Sequence, residues 1–181
     1  MNIKSLAFEL LNKLIPKNKY QIVIHTTPDF CDMSRSLASN ISSHFVIYIL
    51  TSGNSEIPAW AYSSNIKIIK KSSFYGVFCY MSSKYSFFTH GLFSSVNNEK
   101  QITINLWHGM PLKLIGYDDQ KNNGYIPYCK YSIATSTFYR NIISKAFGIK
   151  KDNVFIAGLP RNDILLKSSE TMIIKEYLKN S

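Results

Sequence analysis

Seven short runs of apolar and β-branched residues recur along this chain and constrain its fold more than any other feature. They read YQIVI (20–24), FVIYIL (45–50), IKII (66–69), YSFF (85–88), ITINL (102–106), YSIAT (131–135) and VFIA (154–157). Runs of this length and composition are strand signals. Segments of helical periodicity or turn-rich character separate them. Strands alternating with helices build right-handed βαβ units, and hence a parallel sheet. The runs are continuously apolar rather than alternating, as a sheet covered on both faces requires. The predicted class is α/β, a parallel sheet flanked by helices.

The helices follow from spacing and caps. Ile3, Leu6, Leu10 and Leu14 repeat at helical spacing, and Pro16 ends that segment. Such a helix either packs on the domain or lies along a membrane surface. Asp32 is the expected N-cap of a helix over residues 33–41. Further helices are predicted over 74–83 and from Ser136 or Thr137 as cap to Gly148 as C′ residue. A last one is predicted over 170–178. Residues 118–125 are polar and read as a mobile loop.

In a parallel sheet the loops that follow the strands emerge on one edge, where ligands bind. That edge collects residues 25–30, 89–91, 107–113 and 158–163. The strand at 102–106 runs into Trp107-His108-Gly109, and Pro111 bars further pairing as a central strand. His108 is therefore a candidate general base, with a capping role in a buried network as the other reading. His25 and His90 share this rim and are expected to be structural or to support another group. His44 reads as a surface residue. Lys113 and Arg161 are candidate phosphate ligands. Asp163 is either a helix N-cap or a residue orienting a rim group. Gly116 reads as a hinge. Asp118 and Asp119 read as a solvated loop, with no further ligand at metal spacing. GxGxxG, Walker, HExxH and GxSxG patterns are absent from the sequence, which counts against dinucleotide oxidoreductases, P-loop NTPases, zincins and α/β-hydrolases.

At 181 residues the chain suits one domain with a real core. Its net charge of +10 favours anionic partners: nucleic acid, phosphorylated substrates or an acidic membrane surface. Only Arg35, Arg140 and Arg161 are arginines, which counts against specific nucleic-acid recognition. Cys31, Cys79 and Cys129 have no metal or disulfide spacing and fit buried thiols in a reducing compartment. Glu9, Asn12 and Lys13 interrupt any signal-like run, and no stretch approaches a membrane span.

The segment WHGMPLKLIG (107–116) resembles the signature of the CDP-glycerol glycerophosphotransferases, the teichoic-acid primase and polymerase family. FIAGLPRND (155–163) is similar to a second motif of that family, in the same order and at fitting separation. PDFCDMSRSL (28–37) and SSKYSFFTHG (82–91) match more weakly. The resemblance implies a Rossmann-like sheet forming one half of a GT-B enzyme. It implies transfer of glycerol phosphate, or a related polyol phosphate, from a CDP-activated donor to a membrane-linked acceptor in teichoic-acid or capsule-like polymer synthesis. His108 matches the motif histidine proposed as base, which would release CMP by activating the acceptor hydroxyl. Asp29, Trp107, Gly109, Lys113, Arg161 and Asp163 are the implied substrate-binding residues, with no cofactor and no metal.

In the resembled family a donor-binding half follows the second motif. Here 18 residues follow Asp163 (181 − 163). The expected organisation is an amphipathic helix over 1–16 and an acceptor-side domain over 17–181. The expected partners are a CDP-polyol donor, a lipid-linked polyol-phosphate acceptor and an anionic membrane surface, at the inner face of the cell membrane. The competing reading is a non-catalytic module that binds a polyanion or the membrane. Nucleic-acid binding rests on charge alone.

Overall fold

All seven apolar runs become strands of one parallel sheet in the computed structural model, which describes residues 3–91, 93, 98–119 and 126–166. The strands are β1 Asn18–His25, β2 Val46–Thr51, β3 Ile66–Lys70, β4 Ser83–Phe88, β5 Ile102–Asn105, β6 Tyr131–Ala134 and β7 Val154–Ile156. Their order is β3-β2-β1-β4-β5-β6-β7, and each neighbouring pair is parallel. The order reverses at β1, which pairs with β2 on one side and β4 on the other. Ligands bind at such a switch point in open α/β sheets.

Alternate residues of the central strands build two cores. Ile22, Ile24, Ile47 and Ile49 pack with Ala38 of helix α2 (Asp32–Asn40). Val23, Tyr48 and Leu50 face the other way, against Cys79, Tyr80 and Met81 of helix α3 (Phe74–Ser82). Helix α4 (Thr137–Phe147) closes the β6–β7 end with Ile143, Ala146 and Phe147. Its N-cap is Ser136, which accepts the Tyr139 N–H, and Gly148 ends it in the left-handed region at φ 64°.

Helix α2 departs from expectation. Its N-cap is Cys31, not Asp32, and no side chain caps it. The reason lies one residue earlier: Phe30 adopts φ 55° and turns the chain, so helix entry falls at Cys31. Asp32 stands in the first turn, where a carboxylate still suits the positive helix end. The helix expected over 170–178 lies outside the described residues, as do residues 120–125 of the polar loop.

Helix α1 (Ile3–Leu14) sits on the domain with its polarity inverted. Leu6, Leu10, Leu11 and Leu14 are exposed, whereas Glu9 and Asn12 are buried. Phe8 supplies the apolar anchor, stacking on Tyr80 at 6.1 Å and packing against Phe93 at 5.7 Å. Asn12 donates to Gln101 Oε1 at 3.4 Å, its carbonyl accepts from Asn98 Nδ2 at 3.0 Å, and its Oδ1 accepts from Lys17 Nζ at 2.7 Å. Hydrogen bonds fix the rotation of this helix, and they turn its leucine stripe outward. Among the described residues no helix is long and apolar enough to cross a membrane.

Candidate functional site

The switch point gathers four loops. After β1, His25 is buried at the strand end, and its Nδ1 lies 2.9 Å from the Leu50 carbonyl. The following loop is tied to β4 where the Thr27 N–H donates to Thr89 Oγ1 at 3.1 Å. Asp29 ties the same loop to the end of β2. Its Oδ2 accepts from the Ser52 N–H at 2.8 Å, the Ser52 hydroxyl at 2.6 Å and the Ser55 hydroxyl at 3.0 Å. Partial burial opposes that charge, but these hydrogen bonds outweigh it and hold the carboxyl below its ordinary value. Asp29 thus has a loop-bracing job in this chain.

Beyond β5 the chain makes an abrupt turn. Asn105 Oδ1 accepts the Trp107 N–H at 2.8 Å, and Trp107 takes φ 55°, a region that costs a side-chain-bearing residue roughly 1–2 kcal/mol. The indole seats edge-on against Phe147 at 5.1 Å and lies tilted by 35° against the His108 ring at 4.0 Å. His108 emerges exposed. Gly109 follows, and a Cβ there would meet nothing within 4 Å, so the approach to His108 stays open.

His108 stacks on His90, with ring centroids 4.3 Å apart and planes 6° from parallel. His90 Nδ1 lies 2.9 Å from Thr89 Oγ1. Burial pushes His90 below the ordinary imidazole value. His108 is pushed down first by burial, then by His90, Arg161 and Lys113, against the Thr89 backbone, which favours its charged form. Neutral rings in a cationic setting are what proton abstraction needs.

Arg161 comes from the segment after β7, a 3-10 run over Pro160–Leu166. Its Nε is buried and has no hydrogen-bond partner among the described residues. Asp163 lies inside that run and caps no helix. Its Oδ2 accepts from Ser36 on α2 at 3.1 Å, which fixes the segment across the sheet edge. Lys113 is exposed at the lip of a groove of about 550 Å³ lined by Pro111, Leu112, Leu114, Phe138 and Ile142.

The rim therefore brings together His108, Trp107, Gly109, Lys113 and Arg161, while Asp29 and Asp163 brace loops. Gly116 is no hinge: at φ 56° a Cβ would lie 2.0 Å from the Ala146 carbonyl oxygen, so it permits close contact with α4. Asp118 is not merely solvated but pairs with Lys145 at 2.9 Å. His44 is exposed, as expected, and its Nδ1 lies 2.7 Å from the Ser42 hydroxyl. Sequence reasoning missed Thr89 and the direct stacking of His90 on His108. The signal was present in two parallel strands running side by side into T-H-G and W-H-G.

This strand order and rim define a Rossmann-like α/β domain. Residues 23–180 match the profile of the CDP-glycerol:poly(glycerophosphate) glycerophosphotransferase family, and the chain belongs to that family. A solved structure of the wall teichoic acid polymerase TagF superposes at a TM-score of 0.75 with 17% identity, covering 98% of this chain and 47% of that one. A histidine-to-asparagine variant of TagF soaked with CDPG gives 0.73 and 15%, covering 98% and 50%. A histidine-to-alanine variant gives 0.72 and 16%, covering 99% and 53%. The chain spans about half the length of these structures. No curated protein matches the sequence.

Proposed function

We propose that this chain forms the acceptor-side half of a transferase that moves glycerol phosphate, or a related polyol phosphate, from a CDP-activated donor to a membrane-linked acceptor. The observation that carries this reading is the state of His108. Its ring is exposed at the sheet's ligand-binding edge and stacked on His90, and burial together with His90, Arg161 and Lys113 favours the neutral form, which keeps a lone pair on one ring nitrogen. That lone pair takes the proton of the acceptor hydroxyl. The hydroxyl oxygen attacks the donor's β-phosphorus, the bond from that phosphorus to the CMP oxygen breaks, and CMP leaves. Arg161 and Lys113 offset the phosphate charges, while Trp107 and Gly109 shape the approach. The outward leucines of α1, with Lys13 on the same helix, support peripheral seating on an anionic bilayer at the inner membrane face.

The test measures CMP release from CDP-glycerol with a lipid-linked glycerol-phosphate acceptor, with this chain as the acceptor-side half of a two-half enzyme. His108→Ala is expected to abolish release while the far-ultraviolet spectrum and melting curve stay native. Turnover that survives the substitution removes His108 as the base. Salt-sensitive binding of the polymer without CMP release from any donor favours the non-catalytic reading.

A further inference from the structure

Thr89 is almost wholly buried, and the His90 ring attaches to its hydroxyl. Its hydroxyl oxygen accepts the Thr27 N–H, so its own proton needs an acceptor, because buried polar groups are nearly always hydrogen-bonded. The acceptor in reach is His90 Nδ1. This network assigns the His90 proton to Nε2. Face to face with this ring lies that of His108, whose neutral form keeps a lone pair on one nitrogen. Thr89 therefore sets the tautomer of one of two exposed rings in face-to-face contact. A donor nitrogen and an acceptor nitrogen result on adjacent rings.

We propose that His90 is a substrate-positioning residue whose Nε2–H holds a phosphoryl oxygen beside the basic nitrogen of His108, and that Thr89 fixes the His90 ring in this role. The inference deepens the reading of His108 as base and rests on it. The chemistry is consistent in each state of the pair. Before transfer both rings are neutral, and His90 donates to an oxygen on which negative charge grows as the hydroxyl attacks. After transfer the proton resides on His108, and the neutral face of His90 lies against an imidazolium, an attractive contact. Two charged rings at this distance would repel, so His90 acts as a hydrogen-bond donor and not as a second base.

The test is nitrogen-15 NMR of the histidine rings in the full chain, at a pH above the imidazole range, with glycerol 3-phosphate as the probe. The expected spectrum shows His90 with a protonated Nε2 and an unprotonated Nδ1. Thr89→Val, which keeps the volume and removes the hydroxyl, is expected to convert His90 into a tautomer mixture, and Thr89→Ser to restore the single form. The probe should shift His90 Nε2, and His90→Ala should weaken probe binding about tenfold. A proton on Nδ1 of His90, or unchanged affinity in His90→Ala, overturns the proposal. The native spectrum tests the tautomers even where a Thr89 variant fails to fold. These readouts do not need turnover: an active His108→Ala enzyme removes the base reading, whereas a wrong His90 tautomer removes this inference and leaves that reading standing.

Discussion

The rings of His90 and His108 lie 4.3 Å apart, 6° from parallel, and His90 Nδ1 lies 2.9 Å from Thr89 Oγ1. The pair has a consequence for stability against pH. Burial lowers His25, His90 and His108 below the ordinary 6.5. Between 6.5 and their folded-state values the unfolded chain binds more protons than the folded one. Stability is therefore complete above 6.5 and declines as pH falls through that interval. Asp29, held below its ordinary 3.8, acts in a separate window: its contribution is present above 3.8 and is lost as pH falls through its folded value. Urea midpoints should fall as pH drops from about 6.5 into the acid range. His90→Gln should flatten part of that fall. A midpoint that holds level through the acid range contradicts the argument.

The sheet was legible because its signal is local. Each strand announces itself in a run of four to six mostly apolar or β-branched residues, and both faces of a parallel sheet ask for the same composition, so nothing in IVI or FVIYIL depends on distant context. The rim was half legible. His108 and Arg161 stand out by type and position, but the jobs of Asp29 and Asp163 are set by Ser52, Ser55 and Ser36, partners that only the fold brings near. Helix α1 was legible as a helix and misleading as to its packed face. The hydrophobic pattern shows where an apolar stripe lies, while its rotation was decided by hydrogen bonds between Asn12 and residues more than 80 positions away.

Gly116 is expected to tolerate no side chain. Alanine there must adopt φ 56° and press its Cβ onto the Ala146 carbonyl, 2.0 Å away in the native backbone. The left-handed conformation costs roughly 1–2 kcal/mol and overpacking roughly 1–3 kcal/mol, so Gly116→Ala should lose roughly 2–5 kcal/mol in denaturant unfolding. Gly158→Ala is the control, since a Cβ there meets nothing within 4 Å and the change should stay within about 0.5 kcal/mol. Equal losses at the two positions would remove the steric account.

Asn12 should matter more than any leucine of its helix. Asn12→Ala strands the Gln101 amide oxygen and removes one Lys17 contact in a buried setting, a loss of about 1–3 kcal/mol. Hydrogen exchange should show the amides of α1 opening faster in this variant while those of β1 and β2 hold. Unchanged exchange along α1 would mean that Phe8 alone anchors the helix.

The leucine face of α1 carries the opposite expectation. Leu10 and Leu14 are 54% and 75% exposed, so polar replacement removes little packing and should leave stability within about 0.5 kcal/mol. On a bilayer each leucine can bury its side chain for about 1.5–3 kcal/mol, roughly tenfold or more in partitioning. Flotation with vesicles containing an anionic lipid should therefore show tight association of the native chain and a loss of about a hundredfold or more in Leu10→Gln/Leu14→Gln. Raising salt should weaken native binding by screening the lysines, and it should not mimic the double substitution. Native association without any effect of the two substitutions would move the contact off α1. Absence of native association would leave the outward leucines to a protein surface, and the search would turn to the rest of the two-half enzyme.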